Sequence, residues 1–261
     1  MLRKLYNWSS SWTGTIVIVL TIIFFVAQAF VIPSGSMKNT LLIGDMLFVK
    51  KFSYGIPVPR IPWIELQVLP DFKGNGHLID GPRPKRGDIV VFRYPNNDNI
   101  HYVKRAVALP GDIVALKEKH LFLHPKEGNE FVRANYPKEK IIESGGKLFV
   151  VNPYRDEHPG IHNDPSVKRD GLQPYQLFDM MPIKIPEDEY FMMGDNRDHS
   201  NDSRFWGTVN YKYIVGKPWF IYFSWDDNKE VRWERVFRTV ESLEEDMQGK
   251  DIEINHEKGI Y

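Results

Sequence analysis

Cysteine is absent from this chain, which excludes disulfides, thiolate zinc sites, iron–sulfur clusters and a thiol nucleophile. An excess of either charge is absent too, since 34 Lys and Arg balance 34 Asp and Glu. With no surplus of cations to displace the counterions of a phosphate backbone, nucleic acid is not an expected partner. No Walker A loop, GxGxxG, HExxH or GxSxG occurs, so the usual signatures of nucleotide binding, zinc proteolysis and the α/β-hydrolase elbow are missing. Two histidine pairs, His120/His124 and His158/His162, have the spacing of helical metal ligands. The first lies in a strand-like run, however, and Pro159-Gly160 interrupts the second. No metal and no other cofactor is expected. Apolar residues at 42% and charged residues at 26% exclude wholesale disorder.

What is present begins with an apolar run. Thr13 to Ile32, TGTIVIVLTIIFFVAQAFVI, contains no charge. As a helix rising about 1.5 Å per residue it would span roughly 30 Å, the thickness of a bilayer's hydrocarbon core. The expectation is one N-terminal transmembrane helix over 13–32. Arg3 and Lys4 would keep residues 1–12 in the cytoplasm, Trp8 and Trp12 would sit at the interface, and the body from Pro33 would lie outside. Ala27-Gln28-Ala29 resembles a signal-peptide cleavage site, but the run is longer than the apolar region of a cleaved signal, about 7–15 residues. A permanent anchor is the better reading.

After the anchor, short runs rich in β-branched and aromatic residues alternate with Gly, Pro, Asn and Asp. Residues 46–52, 88–94, 102–109, 112–118, 147–151, 189–194 and 217–225 are strand candidates, and no βαβ alternation appears. The fold class is therefore mainly β and antiparallel. Prolines make 56–85 a long loop or irregular ribbon. Residues 33–116 and 188–227 form the expected core, and 117–187 an inserted second β subdomain. Ser144-Gly-Gly-Lys147 has the SxxK form, but its glycines suit a hairpin turn. Trp233, Val236, Phe237, Val240, Leu243 and Met247 follow helical spacing, predicting an amphipathic C-terminal helix over 228–247 within a 228–261 tail. Trp63 and the 219–225 aromatic run are candidates for contact with a lipid interface, the latter equally for a core strand.

Three segments carry chemistry: IPSGSMKNTL at 32–41, YVKRAVALPGD at 102–112 and GDNRDHSNDSRFWG at 194–207. In order and wording, with Gly44-Asp45 and the RGDIVVF run from Arg86, they resemble the signature boxes of the bacterial type I signal peptidases. That resemblance implies a signal-peptidase-like β fold and a membrane-bound serine endopeptidase that cuts signal peptides from exported preproteins after small residues (Ala-x-Ala). It would act on the outer face of a bacterial plasma membrane. By motif position Ser36 is the nucleophile and Lys104 the general base. Ser34 and the Ser36 N–H form the oxyanion hole, and Ser200 hydrogen-bonds and orients the lysine. Asp202 and Arg204 make a supporting ion pair, Asp195 is a further structural partner, and Ile32, Met37, Tyr102 and Val103 line the substrate pockets. Preproteins and membrane lipid are the implied partners.

The residues themselves agree with that assignment. A lysine can act as a base near neutral pH only if burial depresses its pKa from about 10.4. On a strand Lys104 shares its face with Tyr102, Ala106 and Ala108, while Arg105 points away. Where the family usually has Pro, this chain has Asn39, expected to loosen the turn after the nucleophile. His101 and His199 also depart from the family pattern and are expected to be tolerated substitutions. A Ser–Lys protease of narrow or self-directed specificity, or an anchored domain that only binds exported peptides, are the alternative readings.

Overall fold

The computed structural model describes residues 2–61 and 64–257. Eight strands make the larger sheet, in the order β1-β2-β14-β5-β6-β12-β13 with β15 also beside β14. They are β1 (Ala27–Val31), β2 (Asp45–Lys50), β5 (Ile89–Tyr94), β6 (Asn97–Ala108), β12 (Glu189–Met193), β13 (Val209–Asn210), β14 (Ile214–Ser224) and β15 (Arg238–Thr239). A second sheet holds β7 (Ile113–Lys117), β8 (His120–His124), β9 (Ile141–Ser144), β10 (Lys147–Val151) and β11 (Met180–Lys184), in the order β11-β7-β8-β10-β9. A ribbon of β3 (Gly55–Pro57) and β4 (His77–Asp80) lies within the proline-rich 56–85 segment. Every pairing between these strands is antiparallel.

Local chemistry accounts for several of these elements. Gly145 and Gly146, at φ 57° and 73°, close the two-residue turn that pairs Ser144 with Lys147. Only residues tolerant of positive φ make that turn, so the SxxK tetrad is a hairpin. Pro218 sits inside β14 where the register to β2 slips, the position at which a strand can forgo an N–H. The 219–225 run is thus a sheet strand, with Ile221 fully buried and Phe48 against Phe220 and Tyr222. Trp63 lies outside the described residues. The second sheet begins at Ile113, so β7 belongs with the insert rather than with the strands that precede it.

The N-terminus departs from the expected single helix over 13–32. Helix α1 (Leu2–Ser9) is followed by α2 (Trp12–Thr21) and one π turn (Ile22–Val26), and the chain is then a strand from Ala27. Among the described residues no helix is long and apolar enough to cross a membrane. The reason is pairing: Ala27 to Val31 lie against Lys50 to Met46, so sheet hydrogen bonds outcompete continuation of the helix. The Ala27-Gln28-Ala29 tripeptide is part of that strand, and cleavage after it would remove three of the five residues of β1.

The C-terminal helix is also displaced from its expected span. A short 3-10 turn (Trp233–Arg235) and β15 occupy the first half of 228–247, and α5 runs over Val240–Glu257. Phe237 takes φ 59°, which breaks any helix through it, and the Thr239 hydroxyl accepts from the Ser242 N–H to start the next one. Trp233 and Phe237 are exposed, while Val240 and Leu243 pack into the core with Leu47, Val91 and Ile221. Helix α3 (Asn129–Asn135) caps the second sheet, and α4 (Ser203–Trp206) follows the 194–202 loop.

Candidate active site

Ser36 lies on a 3-10 turn (Gly35–Met37) between β1 and β2, and Lys104 lies on β6. Lys104 Nζ is 2.7 Å from Ser36 Oγ and donates to the Val103 carbonyl at 3.0 Å. The lysine is 4% exposed. Burial holds its pKa down to about 8, against a partial offset from Asp202 and Asp195. Neither carboxylate is free to pair with it. Asp202 takes a two-pronged bond from Arg204 (2.8 Å from both Nε and Nη2), and Asp195 takes another from Arg105 (2.8 and 2.7 Å). The lysine therefore loses its water and gains no counter-ion, the condition under which an amine gives up its proton most readily.

The two aspartates serve the backbone. Asp195 also accepts from the Thr40 hydroxyl at 2.6 Å, while its own N–H points at Met37 Sδ. Asn196 donates its backbone N–H to the Ser36 carbonyl and its side-chain amide to the Gly35 carbonyl. Asp202 accepts the Gly194 N–H. Burial pushes both carboxyls up, and their arginines overcome it to leave both below the usual carboxylate range. The 194–204 loop thus clamps the turn that presents Ser36. Of this clamp, Arg105, Thr40 and Asn196 escaped the sequence reading. The alternation that sends Arg105 away from Lys104 was the signal that it needed a buried partner.

Ser34 Oγ is 3.4 Å from Ser36 Oγ. The expected hydrogen bond between Ser200 and Lys104 is not formed: the lysine is bonded to Ser36 and Val103, and the buried Ser200 hydroxyl lies beside the Asp202 carboxylate. It sits against Gly194, where a Cβ would lie 2.3 Å from Ser200 Oγ and 2.5 Å from the Ser36 carbonyl oxygen. Backbone cannot yield cheaply to such a clash. Gly194→Ala is expected to cut turnover by at least about tenfold through displacement of Ser36, measured as kcat on a cleavable peptide.

A cleft of about 480 Å³ opens over the Ser36–Lys104 pair. Ile32, Met37, Tyr102 and Val103 all line it, as do Phe30, His101 and His199. Two unpaired strand edges border it. β1 is the end strand of its sheet, and β6 pairs with β5 at Asn97 and from His101 to Arg105 but with β12 only at Arg105, Ala106 and Ala108.

The family model described as signal peptidase, peptidase S26, matches residues 5–225. This chain belongs to the bacterial type I signal peptidases. It is a serine endopeptidase that removes signal peptides from preproteins. Proteins named signal peptidase I from Helicobacter pylori and Pseudomonas aeruginosa are 50% and 37% identical to it. The first alignment covers 93% of this chain and 96% of its relative, the second 86% and 75%. A crystal structure of a signal peptidase I from Enterococcus faecalis, 22% identical, covers 52% of this chain and 97% of its own with a TM-score of 0.34, a likeness too loose to add to the fold.

The departures from the family pattern read differently in three dimensions. Asn39 takes φ 77°, which proline cannot adopt, and its amide lies 3.1 Å from His162 Nδ1 in the insert. The turn is therefore tied to the insert by a conformation of its own, where loosening was expected. His101 meets the Phe30 ring edge-on at 5.0 Å, and burial with Arg93, Lys51 and Arg60 nearby pushes its pKa down to about 3. His199 Nε2 is 2.9 Å from Asp164. A second buried lysine, Lys51, is also held near 8 by burial and Arg93, but it does not line the cleft.

Proposed function

We propose that Ser36 is the nucleophile and Lys104 the general base of this signal peptidase. The observation that carries the reading is the 2.7 Å approach of a buried, unpaired amine to the serine hydroxyl. In the neutral form Lys104 Nζ accepts the Ser36 proton as Oγ attacks the scissile carbonyl. The oxyanion is held by the Ser34 hydroxyl and the Ser36 N–H. Lys104 then passes its proton to the leaving amine, and the acyl-enzyme is hydrolysed by a water that the lysine activates in turn. Asp195 and the Asp202–Arg204 pair keep the geometry, and Ser200 places its hydroxyl beside the same turn.

The substrate is an extended peptide lying between the open edges of β1 and β6, with alternate side chains turned toward Ile32, Met37, Tyr102 and Val103. Ile32 and Met37 are almost wholly buried, so the floor is shallow and apolar and favours small residues of the Ala-x-Ala type. Trp12, Ile16 and Val17 are exposed on the apolar N-terminal helix. Helix and π turn together, ten and five residues, reach about 22 Å, short of the roughly 30 Å of a hydrocarbon core. We place them in lipid at the outer face of the plasma membrane, where signal peptides emerge.

Cleavage of a preprotein with an Ala-x-Ala site, in detergent, tests the reading. Wild type cuts after the second Ala; Ser36→Ala does not; a substrate with Phe at either Ala position is refused. Turnover by Ser36→Ala would move the nucleophile elsewhere. Ser34→Ala is expected to lower kcat by about 10²-fold with little change in KM, the usual cost of one oxyanion donor. An unchanged kcat would remove Ser34 from the site.

A further inference from the structure

Helix α5 lies beyond residue 225, where the match to the family model ends, yet it reaches the scaffold of the active site. Glu244 accepts from Arg105 Nη2 at 2.6 Å, and its other neighbour is His158 Nδ1 at 3.0 Å. Arg105 is the residue after Lys104 and is fully buried. Its remaining bonds run to both oxygens of Asp195 and to the Gly87 carbonyl. A continuous chain of charge-assisted hydrogen bonds therefore leads from the C-terminal helix through Arg105 and Asp195 to Thr40, four residues from Ser36.

We propose that Glu244 is a positioning residue for the Ser36–Lys104 pair, acting through Arg105 and Asp195. The proposal rests on Lys104 being the base. Asp195 alone already gives Arg105 a full two-pronged partner, so a second buried carboxylate is not needed to neutralise it. What Glu244 adds is a fixed orientation of the guanidinium fork and an extra negative charge one residue from the lysine. Burial works against that charge, and His158 and Arg105 overcome it, leaving the Glu244 carboxyl below its ordinary range.

The other charged groups at this crevice are committed elsewhere. Lys217 of β14 faces Asp88 and Glu241, and Arg86 holds Asp112 and Glu127. Around Lys104 the charged groups are Asp202, Asp195 and Arg204. Glu244 is not one of these, but it partly neutralises Arg105; without it the guanidinium one residue from Lys104 is less compensated, which favours the neutral amine. The acid limb of activity then moves to lower pH.

The experiment compares kcat and KM against pH for wild type, Glu244→Gln, Glu244→Asp and Leu243→Ala. Glu244→Gln is expected to lower plateau kcat by about fivefold with KM within about twofold, and to shift the acid limb down by about half a pH unit. Glu244→Asp keeps the charge, so its limb stays at the wild-type pH while its shorter reach lowers kcat. Leu243→Ala loosens the packing of α5 without touching charge, lowering Tm and leaving the limb in place. An unmoved limb in Glu244→Gln, or an equal displacement in Leu243→Ala, overturns the proposal. Should Glu244→Gln fail to accumulate, a kcat for Glu244→Asp equal to wild type does the same. None of these outcomes touches the choice of base, which Lys104→Met decides separately.

Discussion

Lys104→Met abolishes cleavage and at the same time makes the protein more stable at neutral pH. The two effects have one cause. In the folded chain the amine is held near 8 by burial, against an ordinary value of 10.5. Below pH 8 the lysine is charged both folded and unfolded, and the folded state bears the full cost of burying that charge. Between 8 and 10.5 the unfolded chain binds more protons than the folded one, so stability rises with pH across this window. At pH 7 the difference amounts to about 3 kcal/mol, which methionine, of similar shape and no charge, relieves. At about 2–4 °C per kcal/mol for a chain of this size, Tm rises by several degrees.

The rate behaves oppositely. Wild-type kcat/KM rises about tenfold per pH unit below 8 and levels above it, because only the neutral amine accepts the serine proton. The methionine variant has no acid limb because it has no turnover. Lys51→Met, which removes the other depressed lysine, leaves the limb where it was. The measurements are a pH–rate profile and a thermal melt of each variant. A fall in turnover of less than about tenfold in Lys104→Met takes the base role from this residue.

Asp195→Ala is expected to be the most damaging single change to stability. It strips Arg105 of its two-pronged partner and leaves the Thr40 hydroxyl without an acceptor, all in the interior. Removing one partner of a buried ion pair costs about 3–5 kcal/mol, because the remaining charge stays desolvated. Tm should fall by roughly 10 °C. Activity falls with it even where the variant is folded, since the neighbouring Asn196 holds the carbonyls of Gly35 and Ser36. Thermal unfolding at pH 7 checks this, and a loss below about 1 kcal/mol would mean that Glu244 alone suffices for Arg105.

The composition and patterning of the chain were enough for the β class. All seven runs of β-branched and aromatic residues became strands, because period-two alternation and turn residues are local signals that tertiary context rarely reverses. The order of the SGSM, YVKR and GDNRD segments was enough for the family, and the alternation along β6 for the uncharged strand neighbours of Lys104, though not for the Asp195, Asp202 and Arg204 that other segments bring near it. Apolar character alone misled at both ends. Residues 27–31 are as greasy as a membrane helix, but their partner is β2, and a partner distant in sequence leaves no mark on the run itself. Trp233 and Phe237 had helical spacing yet point to solvent, because a positive φ at Phe237 turns the chain before α5 begins.

Which groups meet was decided only by the tertiary structure. Ser36 and Lys104 are sixty-eight positions apart, and Arg105 draws Asp195 and Glu244 from segments ninety and more positions away. Sequence sets what each side chain can donate, accept or bury. Desolvation, which sets the amine's proton affinity, depends on everything packed around it at once, and only the folded chain has that.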